Sequence, residues 1–155
     1  MVIRKAADAD LAGISACLAD AFEPYRSAYS SGGFADTVLT IETARRRLAQ
    51  MIIVVADDRG SIVGTIAYHA HPGGEGHLRG MAVLQSRLGA GIAARLLEAA
   101  EAGLRAAGCT RVTLDTTRPL ERAIAFYERH GYRPTGIVGD FYGMELIEYE
   151  KMLVG

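Results

Sequence analysis

The sequence has little cysteine, no excess of either charge and no long apolar run. Its two cysteines, Cys17 and Cys109, lie too far apart in the chain to suggest a metal or redox pair. They are expected to be buried free thiols in a reducing compartment. Lys and Arg number 17 against 18 Asp and Glu, a net charge of −1, so bulk basic charge offers no argument for a nucleic-acid partner. No segment approaches the roughly 20 apolar residues that a membrane span needs. Met1-Val2-Ile3 is followed at once by Arg4 and Lys5, so neither an export signal nor a membrane partner is expected. The expected location is the cytoplasm.

What is present fits one domain over residues 1–155. A composition of 50% hydrophobic and 23% charged residues excludes a disordered chain and supplies a core. Val2–Lys5 reads as a strand, and Asp8 is placed to cap a helix from about Ala9 to Phe22, where Leu11, Ile14 and Leu18 recur at helical spacing. From Glu23 to Thr40 the chain carries Pro24, Ser30-Ser31-Gly32-Gly33 and the aromatics Tyr25, Tyr29 and Phe34, and reads as a long binding loop or lid. Thr40 then caps a helix over Ile41–Gln50, whose Arg45-Arg46-Arg47 run reads as a solvated face. Ile52–Ala56 and Ile62–Tyr68 flank the turn residues Asp57–Ser61 as a hairpin. Leu78–Val83 reads as a strand, Gly89–Ala107 as a helix, Arg111–Asp115 as a strand and Pro119–His130 as a helix. Thr135–Gly139 and Leu146–Leu153 close the chain as two strands. The order β-α-α-β-β-β-α-β-α-β-β implies an α/β (α+β) fold on a mixed sheet.

The most informative stretch is Met81-Ala82-Val83-Leu84-Gln85-Ser86-Arg87-Leu88-Gly89-Ala90-Gly91-Ile92-Ala93, a strand that turns through two glycines into a helix. First-turn amides of a helix have no internal partner, and with the helix dipole they form a site for phosphate oxygens. Glycines there let a ligand approach the backbone, or else serve only close packing of the helix start. Gly89-x-Gly91-x-x-Ala94 also fits the dinucleotide fingerprint, with Asp115 ending the next strand. Against that, the glycines lie past mid-chain, Leu84–Leu88 separates them from the strand, and too few β-α units follow.

Two blocks together carry a resemblance to a known family. Gly91 and Ala93 match a pyrophosphate loop of the pattern [Gln/Arg]-x-x-Gly-x-[Gly/Ala], with Leu88 in place of the Gln or Arg. Ala123-Ile124-Ala125-Phe126-Tyr127-Glu128-Arg129-His130-Gly131-Tyr132 matches A-I-x-x-[FY]-Y-E-x-x-G-[FY], with Leu120 where an Asn is frequent. Over nearly its whole length the chain resembles the GNAT superfamily of acyl-CoA-dependent N-acetyltransferases. The resemblance implies a central mixed, mostly antiparallel, twisted sheet flanked by helices. It also implies acetyl-CoA as acyl donor, a small-molecule or peptide amine as acceptor and, as is common in that fold family, a homodimer.

By the same resemblance, Met81, Ala82 and Val83 hydrogen-bond the pantetheine arm like an added strand, and the Val83 amide faces the thioester carbonyl. Leu88, Gly89, Ala90, Gly91, Ile92 and Ala93 hold the pyrophosphate, with Arg87 supplying the charge that Leu88 lacks. Thr116 or Thr117 replaces the missing Asn contact at Leu120. Tyr127 protonates the leaving thiolate, for which a phenol with pKa about 10 is suited. The base is His77 or Glu75, at the opening of the strand that leads to Val83. On the residues alone, Tyr127 is equally a core aromatic and His77 a strand-edge histidine facing water. His69-x-His71 with Glu75 and His77 also outlines a metal site, but Pro72-Gly73-Gly74 interrupts it and the implied reaction needs no metal, so none is expected. The acceptor would be selected by Tyr25, Tyr29, Phe34 and Tyr142 as apolar walls, or by Glu75, Asp140 and Glu145 as anchors for an ammonium. The same fold without catalysis would be an acyl-CoA sensor.

Overall fold

Residues Ile53-Val54-Val55-Ala56 alternate between the two sides of a sheet, and apolar clusters cover both sides. That double coverage explains why the run is apolar throughout instead of alternating with polar residues. The computed structural model, which describes residues 1–153, places this run in an interior strand. The elements are β1 (Val2–Lys5), α1 (Leu11–Phe22), α2 (Ser31–Thr37), α3 (Ile41–Gln50), β2 (Ile52–Asp58), β3 (Ser61–His71), β4 (Glu75–Val83), α4 (Ile92–Ala106), β5 (Arg111–Thr116), α5 (Glu121–Arg129), β6 (Arg133–Phe141) and β7 (Met144–Met152). The sheet runs β1-β2-β3-β4-β5-β7-β6. Only β4 and β5 are parallel, so the sheet is mixed and mostly antiparallel, as expected.

Two layers of helices sandwich the sheet. Ile92, Leu96, Leu97 and Leu104 of α4 pack with Val54, Ile66, Leu78, Val112 and Leu114. Leu11, Ile14 and Leu18 of α1 pack on the other side with Ile53, Val55, Ile62 and Ala67. Cys17 and Cys109 are buried and free, one in each layer. Among the described residues, no helix is long and apolar enough to cross a membrane.

Four local expectations change. Asp8 caps nothing: a short 3₁₀ turn over Asp8–Asp10 precedes α1, and the Asp10 carboxylate takes the Ala7 amide and both ends of the Arg4 guanidinium, at 2.8 Å each. The Glu23–Thr40 segment is largely helical, with a 3₁₀ turn over Glu23–Ala28 followed by α2. Helix propensity is poor at Gly32-Gly33, but Ser30 caps the Gly33 amide. The missing side chains also let α2 sit directly on the closing hairpin, where a Cβ on Gly32 would meet Tyr142 at 2.6 Å and one on Gly33 would meet Met144 at 3.2 Å. Third, Arg47 is not solvated but buried, because Ala44, Arg47 and Leu48 share the helical face that packs inward. Finally, α4 begins at Ile92 instead of Gly89, since Gly89 (φ +84°) and Gly91 (φ +80°) take left-handed backbone that cannot continue a helix.

Candidate active site

β4 pairs with β5 only from Glu75 to Leu78. Beyond Leu78, β4 stays with β3 as far as Val83, while β5 stays with β7 as far as Thr116. Gly80, at φ +66°, bends β4 away: Arg79 lies opposite Ala67 and Ala82 opposite Thr65, so two residues of β4 face the single residue Ile66. The strands thus part into a wedge. The Leu84 amide donates to the Val63 carbonyl, so by strand alternation the Val83 amide faces the wedge and has no strand opposite it.

A cavity of about 970 Å³ fills this wedge and extends across the end of α4. Met81, Ala82, Val83, Arg87, Leu88, Gly89, Gly91, Ile92, Ala93, Thr116, Leu120, Tyr127 and His77 all line it, whereas Ala90 and Glu75 do not. Among the described residues, and apart from the chain neighbours, no atom lies within 4 Å of a Cβ built on Gly89 or Gly91. Close packing of the helix start therefore does not account for these glycines, and their positive φ with open space in front does. Among the described residues no side chain caps α4, so its first amides remain available to an anion. Arg87 is already paired with Asp58 at 2.7 Å, which offsets the charge assigned to it.

Thr116 Oγ is buried without a hydrogen-bond partner, a condition that costs about 1–3 kcal/mol unless a ligand group meets it. Thr117 is engaged instead, its hydroxyl 2.6 Å from that of Tyr29. Tyr127 is 7% exposed and packs edge-to-face on Phe126 and Tyr132. Burial alone raises its pKa, with no charge or hydrogen bond offsetting it, so the phenol is held neutral beside the cavity.

His77 Nδ1 lies 2.8 Å from Thr113 Oγ, and its Nε2 lies 3.8 Å from a carboxylate oxygen of Asp115. Desolvation lowers the pKa of the imidazole more than Asp115 raises it, leaving the ring neutral and able to take a proton at neutral pH. Desolvation likewise raises the Asp115 carboxyl. Glu75 sits at the far end of β4, ion-paired with Arg111 and outside the cavity. Among the acceptor candidates, Tyr25 and Tyr29 line the cavity, whereas Phe34 does not and meets Tyr29 edge-to-face with ring centres 6.4 Å apart. Phe141 takes the wall expected of Tyr142, which is exposed; Asp140 lies outside, and Glu145 pairs with Arg118. Among the described residues, no group of three or more His, Cys, Asp or Glu is placed to hold a metal ion.

Sequence reasoning missed Gly80, Arg47 and the pairing of Asp115 with His77. The signal for Arg47 was its helical register with Ala44 and Leu48. The other two depend on strand pairing that sequence spacing does not carry. A single parallel strand pair also overturns the dinucleotide-domain alternative, which needs a doubly wound parallel sheet.

A family model described as the acetyltransferase (GNAT) family matches residues 15–132. The fold is similar to that of the ribosomal-protein-alanine N-acetyltransferase from Brucella melitensis, with 22% identity over 99% of this chain and 100% of that one, and a TM-score of 0.78. It is also similar to the PaiA N-acetyltransferase from Thermoplasma acidophilum in complex with coenzyme A (18% identity, 98% of each chain, TM-score 0.81). An aminoglycoside 6'-N-acetyltransferase complexed with coenzyme A shares the fold as well (19% identity, 100% of this chain and 98% of that one, TM-score 0.77).

Proposed function

The chain belongs to the GNAT acetyltransferase family, and from that premise we propose that it moves the acetyl group of acetyl-CoA to a primary amine of a small molecule, amino acid or peptide. The observation that carries this reading is the wedge between β4 and β5, with an uncapped helix start on its rim and the neutral phenol of Tyr127 in its wall. Coenzyme A in two solved structures of the same fold supports the choice of donor.

Acetyl-CoA supplies an activated thioester, and the chain does the rest. The amides that open α4 bind the pyrophosphate, and the free edge of Met81–Val83 takes the pantetheine arm by strand addition. Thr116 Oγ gains its missing partner from that arm. The Val83 amide donates to the oxygen on which negative charge grows. His77, neutral and in the cavity, takes the proton from the attacking amine, a role its position suits better than that of Glu75. Tyr127 donates a proton to the departing sulfur. Two buried free thiols suit a reducing compartment, and we assign the protein to the cytoplasm.

Thiol release from acetyl-CoA across an amine library tests the proposal, with calorimetry of acetyl-CoA binding beside it. Amine-dependent release is expected. Binding without release for any amine would leave the sensor reading, and no binding would overturn both.

A further inference from the structure

Arg47 projects from α3 into the cavity and is only 8% exposed. Its guanidinium lies over the bulge in β4, where Nη1 would be 2.6 Å from a Cβ on Gly80. Gly80 thus serves twice: it bends the strand, and its lack of a side chain leaves room for the arginine. Among the described residues the guanidinium has no ion-pair partner. Its neighbour Arg79 takes the nearest acid, binding Asp36 at 3.0 Å. The group therefore holds two cations and one anion, with Arg47 its buried member and the Arg79–Asp36 pair open to solvent. A cation with so little exposure and no counter-ion favours an anionic ligand.

The opposite charge lines the same cavity at Asp115, whose carboxylate lies 3.8 Å from His77 Nε2. Along β4, Arg79 stands between His77 and Gly80, over which Arg47 lies. An amine directed to His77 and Asp115 would place the rest of a small acceptor towards Arg47. The start of α4 packs in the other helical layer, so Arg47 is not part of the pyrophosphate cradle.

We propose that the acceptor is a small amine bearing a carboxylate, an amino acid or short peptide, whose carboxylate pairs with Arg47 beside Gly80. This rests on the acyl-transfer reading above and narrows its substrate class. Arg suits the task because its planar fork binds both oxygens of a carboxylate.

The test compares L-amino acids and dipeptides with their carboxamides and with the matching amines that lack the carboxyl group. With wild-type protein, kcat/KM for the acids should exceed that for the amides at least about tenfold, as expected for a charge-assisted hydrogen-bonded pair. Free amino acids outperforming dipeptides, or the reverse, identifies the source of the carboxylate. Arg47→Met should abolish the preference for acids mainly through KM, and Arg47→Lys should restore part of it. Both variants should bind acetyl-CoA within about twofold of wild type, since the arginine lies outside the donor site. Arg46→Met, on the exposed face of the same helix, should keep the preference. Equal use of acids and amides by the wild type would overturn the inference and leave acyl transfer standing. So would loss of acetyl-CoA affinity in Arg47→Met with the acid preference intact. Absence of acetyl-CoA binding by the wild type would instead remove the acyl-transfer reading itself.

Discussion

Replacing Tyr127 with Phe deletes one oxygen and leaves the ring between Phe126 and Tyr132. Burial alone raises the pKa of its hydroxyl, with neither a charge nor a hydrogen bond contributing. Its removal therefore breaks no protein hydrogen bond, and the stability change should stay below about 1 kcal/mol. In a chain of 155 residues that is a shift in Tm of no more than about 2–4 °C. Turnover is another matter. A positioned proton donor is worth about 10²–10⁴-fold, which corresponds to roughly 3–5 kcal/mol of barrier. The assay is kcat at saturating amine, run beside the acetyl-CoA binding constant and a thermal melt. Slow thioester hydrolysis must be subtracted, because it conceals a loss of amine-dependent turnover. Binding and melting close to wild type with turnover reduced at least about a hundredfold is the expected result. Because burial raises the phenol's pKa, the wild-type rate should show no alkaline decline from Tyr127 in the neutral range. Normal turnover in the variant would refute the argument and leave Tyr127 as a packing residue. A large stability loss with normal turnover per folded molecule would show that the hydroxyl has a structural partner.

Gly91→Asp should remove measurable acetyl-CoA binding in calorimetry, because it sets a negative charge before the open amides of α4. Gly91→Ala carries the same positive-φ strain, about 1–2 kcal/mol, without the charge, and should lose far less affinity. For His77 the folded pKa is lowered, so kcat/KM should fall as pH drops through that value, and His77→Ala should erase this acidic limb. The same shift makes the unfolded chain bind the proton more readily. Stability should therefore be complete above the ordinary histidine pKa of about 6.5 and decline as pH falls below it, with a smaller decline in His77→Ala urea melts. Leu96→Ala, at a fully buried α4 position, should cost about 2–5 kcal/mol in denaturant unfolding.

The Ala123–Tyr132 block and the Gly89–Gly91 turn were legible in the chain because their information is local. A left-handed residue needs glycine, and a helical face shows itself by spacing. The apolar runs of β2 and β3 were legible for a similar reason, since a strand covered on both sides must be apolar along its length. The Glu23–Thr40 segment was misread as a loop because its helix rests on contacts with a hairpin more than a hundred residues away, against its own propensity.

Composition and local pattern were thus enough to determine the seven strands, four of the five α-helices, a mixed sheet and the glycine turn that leads into α4. Tertiary structure alone decided where β4 leaves β5, that Asp115 meets His77, and that Arg47 stands in the cavity without an ion-pair partner among the described residues. The first depends on pairing Glu75–Leu78 with Arg111–Leu114, 36 residues further on, and on a bulge at one glycine. The other two depend on which layer covers which edge of that wedge. Such facts arise from register and packing between distant segments, and a residue's neighbours in the chain exert no force that could encode them separately.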